Sequence, residues 1–202
     1  MVTVIAVLTI LMMAGVSLMK GSGPQARKAG ADLLAGMIEQ ARASAITTRG
    51  NVLLAIAEPG DLPAGDERCQ VGLFQINEEN WKDEDAEVMK GILISRWKTL
   101  ETGVVLLGGK VDGVENPLDG PKHTITYGSD AKPQTVKVRV IGFNSRGGLR
   151  LPAGSSPIVM RIAEGNYRSG VATPFKRADS QTVSENRLKI GRIIARPYRI
   201  DG

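Results

Sequence analysis

A single cysteine and a single histidine among 202 residues remove much of protein chemistry at the outset. Cys69 has no partner within the chain for a disulfide, so paired thiols say nothing of the compartment, and its expected role is that of a small buried hydrophobe. His123 is the sole imidazole, so a zinc site would lack a second ligand of either type. Its setting, His-Thr-Ile-Thr-Tyr, reads as a strand. Serine catalysis would have to recruit that same histidine. The glycine-rich phosphate loop, the serine nucleophile elbow and the paired-histidine zinc helix are all missing. No catalytic, cofactor-binding or metal residue is therefore assigned, and no cofactor is expected. Aromatics are only 4% of the chain, and 26 basic residues are scattered among 21 acidic ones. The net charge of +5 reads as mild surface charge, and DNA is not an expected partner. The length suits one ordinary domain plus an appendage and excludes a large multi-domain enzyme.

Charge is also missing from Met1 to Met19, where Thr3, Thr9, Gly15 and Ser17 are the polar or small interruptions. As a helix this run would extend about 28 Å, close to the roughly 30 Å hydrocarbon core of a bilayer. A secretory signal peptide is the less expected reading, since the run as given has no basic start, is longer than a signal core, and has Lys20 where small residues belong. After Gly-Ser-Gly-Pro (Gly21 to Pro24) a second helical pattern follows. Ala26, Ala29, Gly30, Leu33, Leu34, Met37, Ile38, Ala41, Ala45 and Ile46 recur at three-four spacing, while Arg27, Lys28, Asp32, Glu39, Gln40, Arg42 and Arg49 fall mostly off that stripe. The two halves predict one long helix to Arg49, with a weak point at Gly21, Gly23 and Pro24. Residues 1–23 are expected to be its membrane or assembly half, through Val4, Ile5, Ala6, Leu8, Leu11, Ala14, Gly15 and Leu18. Residues 24–50 are its amphipathic half, packing on a sheet through Leu33, Leu34, Met37, Ile38, Ala41 and Ala45.

From residue 51 to 202 the pattern turns to β, after a helix stop at Arg49-Gly50. Strands are expected at Asn51 to Ala57, Gln70 to Asn77, Ile92 to Trp97, Val104 to Leu107, His123 to Tyr127, Thr135 to Phe143, Ile158 to Ala163 and Leu188 to Ile194. In Thr135-Val-Lys-Val-Arg-Val140 three valines point one way and Thr, Lys and Arg the other, as in a half-buried antiparallel strand. The expected whole is α+β, a long amino-terminal helix packed on an antiparallel β-sheet domain.

Four passages then carry a resemblance. Met-Val-Thr-Val-Ile-Ala-Val-Leu-Thr-Ile-Leu resembles the apolar helix start of type IV pilins and type II secretion pseudopilins. Ala41-Arg-Ala-Ser-Ala-Ile46-Thr-Thr-Arg-Gly-Asn-Val52 is similar to the passage from helix end to first strand in H-type minor pseudopilins and FimT-like minor pilins. Phe143-Asn-Ser-Arg-Gly147-Gly-Leu149 and Gly191-Arg192-Ile193 are similar to that family's late turn and closing segment, in the same order. The resemblance implies a non-enzymatic structural subunit of a type IV pilus or type II secretion system. Its expected partners are other pilin or pseudopilin subunits and membrane lipid, and its expected place is the inner membrane, single-pass, with the globular domain exported. The family's basic leader, cleavage-site glycine and mature-chain glutamate, which go with prepilin processing and amino-terminal methylation, do not precede Met1. A leader encoded upstream of Met1 is the expectation, and no assembly glutamate is carried over. The alternative is a membrane-anchored exported binding domain that does not polymerise.

Three further features take plainer readings. The acidic stretch Asn77 to Glu87 offers Asp83, Asp85 and Glu87 at alternate positions but lacks the turn glycine of a calcium loop, and reads as a solvated loop. Ser145 to Arg150 reads as a hairpin turn served by its paired glycines. Trp97 is expected on a core or sheet face, and Trp81 is the better partner contact.

Overall fold

The computed structural model describes residues 22–63, 67–76, 88–129, 131–176 and 181–200. A helix, α1 (Ser22–Thr48), is followed by β1 (Asn51–Ala57), β2 (Gln70–Ile76), β3 (Val88–Thr99), β4 (Val104–Leu107), β5 (His123–Ser129), β6 (Lys132–Phe143), β7 (Leu149–Leu151), β8 (Ile158–Arg168), β9 (Val171–Pro174), β10 (Glu185–Ile190) and β11 (Pro197–Ile200). The α+β expectation, a long helix on one antiparallel sheet, is corrected. The chain is mostly β, its described helix covers 27 residues and is not apolar, and the strands form two sheets. Periodicity locates strands but not their partners, and here partner choice decides the architecture.

Five strands close on themselves in the order β1-β2-β3-β5-β6, with β6 returning to pair with β1. Four of the five junctions are antiparallel. The fifth, β3 with β5, is parallel and short, running only over Val88↔Thr124, Met89↔Ile125 and Lys90↔Thr126. The second sheet has the order β11-β10-β8-β4, with β9 folded back on the outer part of β8.

The sequence of β1 explains how these layers meet. Asn-Val-Leu-Leu-Ala-Ile-Ala is buried at every position, as expected of a strand covered on both faces. Leu53, Ala55 and Ala57 point into the barrel with Phe74, Ile76, Met89, Ile125, Val136, Val138 and Val140. Val52, Leu54 and Ile56 point the other way, into a second core shared with α1 and the second sheet. The three valines of β6 thus take one face, while Lys137 is exposed on the other, as their alternation predicts.

α1 ends in a reciprocal cap. Arg49 takes a left-handed φ of 49°, its N–H reaching Ile46 O at 3.3 Å while Gly50 N–H reaches Ala45 O at 3.2 Å. The chain then turns directly into β1. β7, β9 and β11 carry no sequence expectation; they span three or four residues, too short for alternation to register. Gly191 to Ile194, expected to extend β10, instead form a turn that meets the end of α1.

Candidate functional site

The residues of the amphipathic stripe are the first to place. Leu34, Met37, Ile38, Ala41 and Ala45 are buried in the core that also holds Val52, Leu54 and Ile56 of β1, Ile158, Met160 and Ile162 of β8, and Leu188 and Ile190 of β10. Leu33 is half-buried at its margin. Burying one such leucine or isoleucine is worth about 1.5–3 kcal/mol. Polar ties flank the stripe. Arg27 faces Glu164 at 3.1 Å, as an ion pair whose geometry falls short of a hydrogen bond. Asp32 pairs with Arg199, and the Arg42 Nε–H donates to Ile194 O at 2.6 Å. α1 is therefore tied to the β body at several points along its length.

Val4, Ile5, Ala6, Leu8, Leu11, Ala14, Gly15 and Leu18 lie outside the described residues, as do Trp81 and the acidic stretch 77–87. The single-pass inner-membrane anchor is corrected. Among the described residues no helix is long and apolar enough to cross a membrane, because α1 keeps a charged face along its length.

The titratable groups form structural ties. At the barrel rim Lys122 Nζ lies 2.7 Å from Asp61 and 3.1 Å from Glu58, and Arg139 also pairs with Glu58. Burial alone would lower the Lys122 ammonium, but these carboxylates outweigh it and hold its pKa above the ordinary lysine value. Glu185 sits between Arg161 (2.7 Å) and Arg187 (2.6 Å); burial would raise its carboxyl, and the two guanidinium groups hold it below the ordinary range. Cys69 is fully buried, and burial pushes its thiol up to about 12, with a hydrogen bond from Tyr167 opposing. His123 is half-buried on β5, and burial lowers its pKa. Among the described residues no group of three or more His, Cys, Asp or Glu side chains could hold a metal ion.

A cavity does open in the barrel wall. Beyond Lys90 and Thr126 the short parallel ladder stops, and β3 and β5 part. β3 continues along β2 through Thr99, while β5 folds away with β6 through Tyr127↔Gln134, Gly128↔Pro133 and Ser129↔Lys132. Two clefts occupy the gap, of about 420 and 500 Å³, and both are lined by Tyr127 and Pro133. The smaller takes Lys90, Gly91 and Ile92 from β3, and the larger takes Trp97 together with Gln70, Leu62 and Pro63.

The floor of this seam is aromatic. Phe74, fully buried, meets Trp97 edge-to-face at 5.6 Å and Tyr127 at 5.1 Å. The indole lies over Gly72, where an added Cβ would come within 3.0 Å of the ring, so the absence of a side chain there sets its position. Its Nε1–H is shielded from solvent and has no acceptor among the described residues. Trp97, expected on a core or sheet face, does both jobs: it packs against the barrel core and lines the cleft. Tyr127, Pro133 and Gly72 were not expected at a site. Nothing in their local sequence marks them, because the seam arises from where two distant strands diverge.

No protein-family model, curated protein or solved structure matches the chain.

Proposed function

We propose that this chain is a non-enzymatic structural subunit, a minor pilin or pseudopilin of a type IV pilus or type II secretion system, that assembles with other such subunits through its apolar amino-terminal run. The observation that carries this reading is the mounting of α1. A buried stripe and ties from Glu164, Ile194 and Arg199 hold the helix to the β body, and the uncharged run Met1 to Met19 stands just before it in the chain. A rigid mount transmits the position of one subunit to its neighbours, which a flexible tether would not. The motif order from Ala41 through Arg192 supports the same reading. Small residues such as Ala6, Ala14 and Gly15 suit close helix approach between copies.

The test is light scattering and negative-stain microscopy of the full chain in mild detergent, beside Leu11→Arg. Ordered multimers that the substitution dissolves are the expected result. Single copies at all concentrations, with or without the substitution, refute assembly through this segment. They would leave the second reading, a binding domain that does not polymerise, for which the open seam of the barrel is the favouring observation.

A further inference from the structure

The seam between β3 and β5 is an unfinished sheet. From Gly91 to Thr99, β3 has a strand partner on one side only, β2. Alternate N–H and C=O groups along its other edge have no strand partner among the described residues. Such an edge is a template for another extended chain. At about 3.3 Å per residue it offers roughly 25–30 Å, room for a strand of ordinary length.

Charge says what kind of strand it would be. β3, β5 and β6, which border the seam, contain no Asp or Glu. They carry Lys90, Arg96 and Lys98 on β3 and Lys132 and Lys137 on β6, all exposed and none ion-paired among the described residues. The outward face of β3 runs Val88, Lys90, Ile92 (64% exposed), Ile94, Arg96 and Lys98, so its cations stand beside exposed apolar side chains and Arg96 and Lys98 form a basic end. The inward face is different in kind: neutral and aromatic, with Trp97, Tyr127 and Leu62 around the larger cleft.

We propose that this seam is a docking groove for an extended acidic segment of another protein, which adds to the free edge of β3 as a further strand. Side chains of an added strand alternate between the two faces. Those on the outer face lie beside Ile92, Ile94, Arg96 and Lys98, and at the two cations cross-strand pairing favours carboxylates. Those on the inner face enter the cleft against Trp97 and Tyr127, where apolar groups gain most. The recognised pattern opposite Arg96, Trp97 and Lys98 is thus acidic and apolar residues in alternation. The proposal does not depend on assembly of the chain, since it uses a different face from the amino-terminal run.

The probe is a fluorescein-labelled peptide of alternating Glu and Val, read by fluorescence anisotropy against the full chain in mild detergent at two salt concentrations. Controls are the Lys-Val peptide, and the Glu-Val peptide N-methylated at alternate residues, which keeps the side chains but removes edge hydrogen bonds. The expected result is saturable, salt-sensitive binding of the Glu-Val peptide alone. Arg96→Glu with Lys98→Glu should weaken it about tenfold or more, the scale of close charge pairs at interfaces. Both positions are exposed, so the variant should keep its circular dichroism and, as a check on the assembly reading, its multimer size. Trp97→Phe should weaken binding several-fold at unchanged salt dependence. Equal binding of the N-methylated or the Lys-Val peptide overturns strand addition or acidic selection respectively. Multimers lost on the Arg96/Lys98 reversal would show that a second copy occupies the groove, which also overturns the proposal.

Discussion

Two glycines on α1 should respond in opposite directions to the same substitution. A Cβ built on Gly30 meets Val104 Cγ1 at 2.9 Å, Cγ2 at 3.5 Å and Cβ at 3.7 Å. Val104 cannot give way easily, because it is buried on β4 and branched at Cβ. Overpacking of this kind costs about 1–3 kcal/mol, offset by about 1 kcal/mol from the better helix propensity of alanine. Gly30→Ala should therefore destabilise by about 1 kcal/mol. Gly36, on the exposed side of the same helix, has nothing within 4 Å of its added Cβ. Gly36→Ala should stabilise by about 0.5–1 kcal/mol, through propensity and a less free unfolded chain. Urea unfolding of the full chain in mild detergent reads both as shifts in midpoint at constant slope. Val104→Ala supplies the control: it costs stability alone, yet in its presence Gly30→Ala should lose its penalty, a coupling that marks direct contact. If Gly30→Ala stabilises as much as Gly36→Ala, α1 is not seated against β4, and the arrangement of helix and second sheet is wrong.

Glu185 gives a prediction in pH. Its carboxyl titrates below the ordinary range in the folded chain, so its stabilising effect is full above pH 4.5 and is lost as pH falls through the lower folded value. Glu185→Gln should lower stability at pH 7 by about 2 kcal/mol, a buried-pair loss discounted for the partial exposure of both arginines, and the gap to the parent should close in acid. A gap that persists unchanged at pH 3 refutes the ion-pair account. Cys69, buried and with its thiol pushed up to about 12, should resist a disulfide reagent in the native chain and react with one equivalent on unfolding. Rapid native reaction would place it at the surface.

Strand positions were legible in the sequence, and their pairing was not. Each of the eight expected strands has a counterpart, and Asn51–Ala57 and Val104–Leu107 agree to the residue. These are the runs whose apolar side chains are continuous, so burial alone defines their ends. The expected Ile92 start of β3 came late, since the ladder with β5 begins at Val88. Local pattern could not announce a contact with Thr124, more than thirty residues on. Closure of the barrel has the same origin: Val52↔Phe143 and Ile56↔Arg139 join strands from opposite parts of the chain. One feature of the sequence does point to two layers. An uninterrupted apolar strand such as Asn51–Ala57 needs cover on both faces, which one sheet on one helix does not supply. Helix spacing groups side chains on a face but does not set the width of its buried part: Leu34, Met37, Ile38, Ala41 and Ala45 of the amphipathic stripe are buried, Ala29 and Ile46 are exposed, and Ala31, outside the stripe, is buried.

The free edge of β3 also bears on how the chain avoids pairing with itself. An exposed strand edge invites edge-to-edge association, and lysines and other like charges along it are a common protection. In a second copy the same edge presents Arg96 and Lys98 again, so cations would stand on both sides of the joint. Like charges directly opposite each other destabilise a sheet. The arrangement that opposes self-pairing is the one that attracts an acidic strand, so protection and selection rest on the same side chains. Replacing Arg96 and Lys98 by Gln should separate these effects from mere loss of structure. Acidic-peptide binding should fall while concentration-dependent β-aggregation, followed by thioflavin fluorescence at high salt and at low salt, should rise most at low salt. At low salt the parent charges are least screened and their removal matters most. Unchanged aggregation in the neutral variant would mean that another part of the chain guards this edge.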